Sequence, residues 1–181
     1  MKKIFVGCSS RDVGNKKYNY VADTIGAWIA SQGYELVFGG CGEGLMGRVF
    51  NQVKGRSKVH ATQARVYQDE LDGIDNCEKH VIDTINQRKD FYAQLADALV
   101  FLPGGIGTLD EIISGIETRR SGEHKCSIVI INESGYFDPI IQMLNRAYDQ
   151  GFASKSDKQY YYIADNVEQA IGKLTEIFHN N

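Results

Sequence analysis

The stretch Pro103-Gly104-Gly105-Ile106-Gly107-Thr108-Leu109-Asp110-Glu111 follows directly on the apolar run ALVFL at 98–102. Glycines permit positive φ and close backbone approach, so successive amides here can converge on an anion. A helix opening at Thr108 adds its partial positive charge. A phosphate suits that arrangement. Strand-to-helix turns also use glycine for their own geometry, so the turn taken alone leaves connector and cradle both standing. No GK[ST] follows, which excludes a Walker loop. Glu111 is ambiguous in the same way. Three residues after Thr108, it can close a capping box on the Thr108 amide, or it can face a bound molecule while Asp110 points elsewhere.

Arg88 and Lys89 lie on a mixed helix just before ALVFL, where an arginine fork can reach the same crevice. Adjacent helical positions point about 100° apart, so at most one of the two faces a given site. A second glycine-rich turn, GGCGEGLMG at 39–47, contains Gly40 and Gly44 and can bring backbone close to a sugar or base. It is not a clean GxGxxG, and no acid stands at the end of a following strand as in an NAD site. Ser9 and Ser10 offer hydroxyls after the first strand, in GCSS. His60, His80, His124 and His179 show no mutual spacing and no Ser or Cys partner, so neither a triad nor a metal site gains support. Cys8, Cys41, Cys77 and Cys126 form no CxxC, and reduced thiols in the cytoplasm fit them better than a disulfide framework.

These side chains need a scaffold. The 181 residues suffice for one domain, taken as 1–181. Apolar residues make up 43% and charged residues 24%, an ordinary globular balance. No basic stripe collects the 20 Lys and Arg, and with a net charge of -3 no nucleic-acid partner is expected. No segment approaches the ~18 continuous apolar residues of a membrane span. Strand-like runs KIFVG (3–7), ELVF (35–38), SKVHAT (57–62), HVI (80–82), ALVFL (98–102), CSIVIIN (126–132) and YYYIA (160–164) alternate with helical patterns. Among the helices, Tyr18, Val21, Ile25, Trp28 and Ile29 recur at steps of three and four, and another spans 108–120. The last is read as capped by Asp165, with Glu168 reaching back. Such alternation predicts an α/β fold, a doubly wound and mainly parallel sheet with helices on both faces. Ligands of such sheets bind at the carboxyl ends of the strands.

The string Arg88-Lys89, thirteen residues, then Pro103-Gly104-Gly105-x-Gly107-Thr108-x-x-Glu111, with Gly39-Gly40 and GLMG at 44–47, resembles the LOG family. These are cytokinin-activating phosphoribohydrolases and their bacterial relatives. VIDTINQRK, ADALVFLPGGIGTLDE, INESGYFDPI and DQGF stand in family order, and the likeness runs from residue 3 to about residue 165. The resemblance implies a Rossmann-like homodimer, or a higher homo-oligomer, that binds a nucleoside 5'-monophosphate such as AMP or N6-modified AMP. It further implies hydrolysis of the N-glycosidic bond to free base and ribose 5-phosphate, with no metal and no other cofactor. It puts the catalytic pair on Arg88 and Glu111 and the phosphate turn on Gly104, Gly105, Gly107 and Thr108. Gly40, Gly44 and Lys89 join them as substrate-binding residues. Family members have carried a lysine decarboxylase label, but no lysine here stands in a recognisable pyridoxal phosphate context. Where the family shows Trp and Gln before a G-[IL]-H-x-K-P run, this sequence reads ETRRSGEHKCS. Glu117, Thr118, Arg119 and Arg120 therefore stand where base-side or dimer contacts are expected. A non-catalytic nucleotide or cofactor carrier on the same fold is the alternative.

Overall fold

A computed structural model describes residues 1–179. The strands are β1 Lys3–Gly7, β2 Glu35–Phe38, β3 Val59–Ala64, β4 Glu78–Ile82, β5 Ala98–Phe101, β6 Ser127–Ile131 and β7 Tyr161–Ala164. Among the described residues they form one sheet in the order β4-β3-β2-β1-β5-β6-β7. Every pairing is parallel. The helices are α1 Lys16–Ser31, α2 Gly44–Val53, α3 Ile85–Leu95, α4 Ile106–Ser121, α5 Asp138–Asp149 and α6 Val167–His179.

Period-two alternation along the strands divides the core. Ile4, Val6, Leu36 and Phe38 face one layer with Val21 and Ile25 of α1, Val49 of α2 and Leu174 of α6. Phe5, Val37, Leu99 and Phe101 face the other, with Tyr92 of α3 and Ile112 and Ile116 of α4. Each fully buried side chain of this size contributes about 1.5–3 kcal/mol. Strand order reverses between β1 and β5, since the chain winds outward from β1 to β4 on one side and from β5 to β7 on the other. That reversal opens a crevice at the carboxyl ends of β1 and β5. Ser9 N donates to Pro103 O at 3.1 Å, which holds the two turns side by side at its mouth.

Three local expectations shift. β3 runs two residues further than SKVHAT because β4 pairs alongside, Gln63 with Val81 and Ala64 with Ile82. α4 opens earlier, with Gly105 as its N-cap. At α6, Asn166 Oδ1 accepts from Gln169 N at 2.9 Å and Gln169 Oε1 accepts from Asp165 N at 2.9 Å. The reciprocal cap is therefore offset by one residue, and Glu168 accepts instead from Tyr20 OH at 3.0 Å, tying α6 to α1.

Candidate active site

The PGGIGT turn ends β5 at the switch point, and the first backbone bond into α4 runs from Leu109 N to Gly105 O at 3.1 Å. The amides of Ile106, Gly107 and Thr108 precede it and have no intrahelical acceptor, so the positive end of α4 opens at the crevice. The three glycines differ in what they are for. A Cβ on Gly104 would run into Thr108 Oγ1, so packing alone requires that glycine. Tyr136 OH donates to Gly104 O at 2.6 Å and holds the turn from outside. A Cβ on Gly105 or Gly107 would meet nothing within 4 Å, and neither has a positive φ. No intramolecular demand explains glycine at those two positions, whereas a ligand drawn close to the backbone would.

Glu111 stands in the second turn of α4, past Thr108 at the third helical position, so the capping-box reading fails. Its carboxylate accepts from Arg88 Nη1 at 3.1 Å, with only about a tenth of either side chain exposed (11% and 10%). It also packs against the end of β1, where a Cβ on Gly7 would lie 2.7 Å from Glu111 Oε2. Arg88 is itself fixed from several sides. Its Nε donates to Thr62 O at 2.9 Å. Its guanidinium lies 5.7 Å above the ring of Tyr92, which stacks on Phe5 at 3.8 Å. The near backbone of Gly39 leaves Nη2 room, since a Cβ there would come within 3.1 Å of it.

Burial pushes the Glu111 pKa up, while the charge and hydrogen bond of Arg88 pull it back only in part. Burial, then the Glu111 charge, push the Cys8 thiol pKa well up, which makes Cys8 a poor nucleophile although it borders the site. The pair lies on a cleft of about 510 Å³, within the range of small-molecule sites. Ser9, Ser10, Arg11, Met46, Gln63 and Tyr67 also line it. Gln63, at the end of β3, donates through Nε2 to Gly39 O at 2.9 Å and to Glu70 Oε2 at 2.8 Å. Sequence reasoning missed Arg11, Met46, Gln63, Tyr67 and Glu70. The one signal available was the run of polar residues His60, Thr62 and Gln63 in a strand whose every position is buried.

Gly105, Gly107, Thr108, Arg88 and Glu111 meet on this cleft. Lys89 points away. Its Nζ donates to both Asp110 oxygens at 3.0 Å and to Ser114 Oγ at 2.9 Å on the outer side of α3 and α4. Gly40 and Gly44 have positive φ and serve packing, since a Cβ would strike Leu71 at Gly40 and the Ser10–Arg11 backbone at Gly44. Gly39 and Met46 border the cleft from that turn instead. Glu117 and Arg120 pair with each other at 2.6 Å, and Arg119 lies 5.6 Å above the Tyr160 ring. Both contacts are at the far end of α4, about three turns from Ile106.

A family model described as possible lysine decarboxylase matches residues 46–174. The chain is 29% identical over 178 residues to a probable cytokinin riboside 5'-monophosphate phosphoribohydrolase of Oryza sativa subsp. japonica, covering 97% of this chain and 77% of that protein. It is 30% identical over 177 residues to a cytokinin riboside 5'-monophosphate phosphoribohydrolase of Arabidopsis thaliana, covering 97% and 82%. Among solved structures, the molybdenum cofactor carrier protein of Chlamydomonas reinhardtii superposes with a TM-score of 0.69 at 18% identity, over 98% of both chains. That last likeness is one of fold.

Proposed function

Because this chain belongs to the family described as possible lysine decarboxylase and matches its LOG-type phosphoribohydrolases along nearly its whole length, we propose that it hydrolyses the N-glycosidic bond of a nucleoside 5'-monophosphate. AMP or an N6-modified AMP would yield free base and ribose 5-phosphate. The observation that carries this reading is the buried Arg88–Glu111 pair on the cleft into which the α4 amides open. In the proposed reaction the phosphate sits against Gly105, Gly107 and Thr108. Departure of the base leaves positive charge on the ribose, and the ionised Glu111 carboxylate beside it stabilises that charge or orients the attacking water. Arg88 favours the ionised carboxylate, and its remaining N–H groups are free to hold a ribose or phosphate oxygen.

A lysine decarboxylase is less well supported, since none of the cleft-lining residues is a lysine and Lys89 is engaged by Asp110 outside it. A carrier that binds nucleotide without turnover shares the same fold, so the decision rests on chemistry. Purified protein incubated with each nucleoside monophosphate should release free base and ribose 5-phosphate, and Glu111→Gln should stop the release. Tight nucleotide binding with no base from any monophosphate would favour the carrier. The reading extends to a homodimer in the cytoplasm. Exposed Ile106 (87%), Leu109 (36%) and Ile113 (44%) share one stripe of α4 beside the cleft, and the four unpaired cysteines suit a reducing compartment. Light scattering on wild type and Ile113→Asp tests the dimer.

A further inference from the structure

The amino end of the sheet carries a second cluster of ionisable groups. Glu35 opens β2, His60 lies near the start of β3, Glu78 opens β4, and parallel register sets His60 against Glu78. His60 is 3% exposed, with its Nε2 2.8 Å from Glu35 Oε2. A carboxylate only accepts, so Nε2 carries the ring proton and Nδ1 presents its lone pair. That Nδ1 lies 3.1 Å from His80 Nε2 and 3.6 Å from Glu78 Oε2. His80 Nε2 is 3.6 Å from the other Glu78 oxygen, Oε1, and one ligand atom from each of the three residues lies within 4.8 Å of the other two. Ligand atoms bound tetrahedrally to zinc at ~2.0–2.1 Å lie about 3.3 Å from one another. The two histidine nitrogens already stand 3.1 Å apart, and a turn of the half-exposed Glu78 carboxylate brings one oxygen to both.

We propose that His60, His80 and Glu78 form a site for a divalent transition metal, with Glu35 orienting His60 from behind. Two imidazoles and a carboxylate suit zinc, and a carboxylate behind a ligating histidine is the usual support for such a ring. The change asked of the protein is small. His80 moves its proton from Nε2 to Nδ1, a tautomer change at constant charge, and its Nε2 becomes a ligand. Glu78 exchanges its contact with Lys58 Nζ, 2.8 Å away and about half exposed, for a doubly charged partner. Three protein ligands leave a fourth position to water. The metal would join edge strand β4, which is largely exposed, to β3 and through Glu35 to β2.

Zinc ion titrated into the full-length protein, followed by calorimetry and by thermal unfolding, tests the site. Expected are one zinc per chain and a Tm that rises with zinc concentration. His80→Ala and Glu78→Gln should each weaken binding at least tenfold, Glu35→Gln by about 10–100-fold, and Cys77→Ser should leave it intact. Circular dichroism without zinc confirms that each variant folds, and cobalt in place of zinc should give visible absorption bands that His80→Ala abolishes. No zinc-dependent shift in the wild type, or equal affinity in His80→Ala and Glu78→Gln, would overturn the proposal and leave the cluster a hydrogen-bonded chain.

Discussion

At the carboxyl end of the sheet Arg88 and Glu111 commit only part of their hydrogen-bonding capacity to each other. At the amino end Glu35, His60 and His80 engage one another in sequence beside the Lys58–Glu78 pair. The first arrangement borders an open cleft and faces the positive end of a helix. The second lies across neighbouring strands. Buried charge is expensive in either setting, so the difference lies in where the unsatisfied remainder points. It points into the cleft at one end and toward the next strand at the other.

That contrast breaks down if both ends respond to substitution alike. The largest effect is expected from Glu111→Gln, which keeps an acceptor for Arg88 and removes the charge. Base release measured by chromatography should fall about 10²–10³-fold, with a modest change in stability. At the other end, His80→Ala leaves His60 Nδ1 without its partner and should cost about 1–3 kcal/mol in urea unfolding. Gly107→Ala sharpens the comparison within the cleft itself. Alanine is the better helix former and meets no neighbour, so the fold should gain roughly 0.5–1 kcal/mol. The KM for a monophosphate should nevertheless rise roughly tenfold, about 1.4 kcal/mol. Lys89→Ala should cost under about 1 kcal/mol of stability, and far less activity than Arg88→Lys.

The pH response of Glu111 gives the smallest signal. Burial raises its folded pKa above the ordinary 4.5. Between those two values the native state holds more protons than the unfolded state, so stability from this group is full below the ordinary value and falls as pH rises through the window. Urea midpoints across mildly acidic pH should show that decline in the wild type and a flatter profile in Glu111→Gln. The acid limb of kcat/KM should correspondingly lie above the usual glutamate range.

Much of this was legible in the chain. Seven apolar runs alternating with helical patterns predicted the parallel sheet, and all seven are strands. Arg88, Glu111, Gly105, Gly107 and Thr108 do converge on one cleft. The 100° step between adjacent helical residues allowed one of Arg88 and Lys89 to face it, and α3 turns Arg88 inward. Gly40 and Gly44 show the limit of such reading. Both looked like ligand-facing glycines, yet their positive φ and the nearness of Leu71 and of the Ser10–Arg11 backbone account for them. A glycine's reason for being glycine depends on which segment packs over it.

Local sequence determined what is set by spacing along one segment: the strand and helix periods, the glycine turn after β5 and the helix that opens from it. Tertiary structure decided what depends on neighbours brought in by long crossovers. Only the β1–β5 reversal puts Gly7 against Glu111, and only the β3–β4 register sets His60 beside Glu78 and close to His80. The reason is geometric. Periodicity fixes the face on which a side chain stands, whereas a parallel neighbour is chosen by how whole βαβ units pack, which no short window of residues encodes.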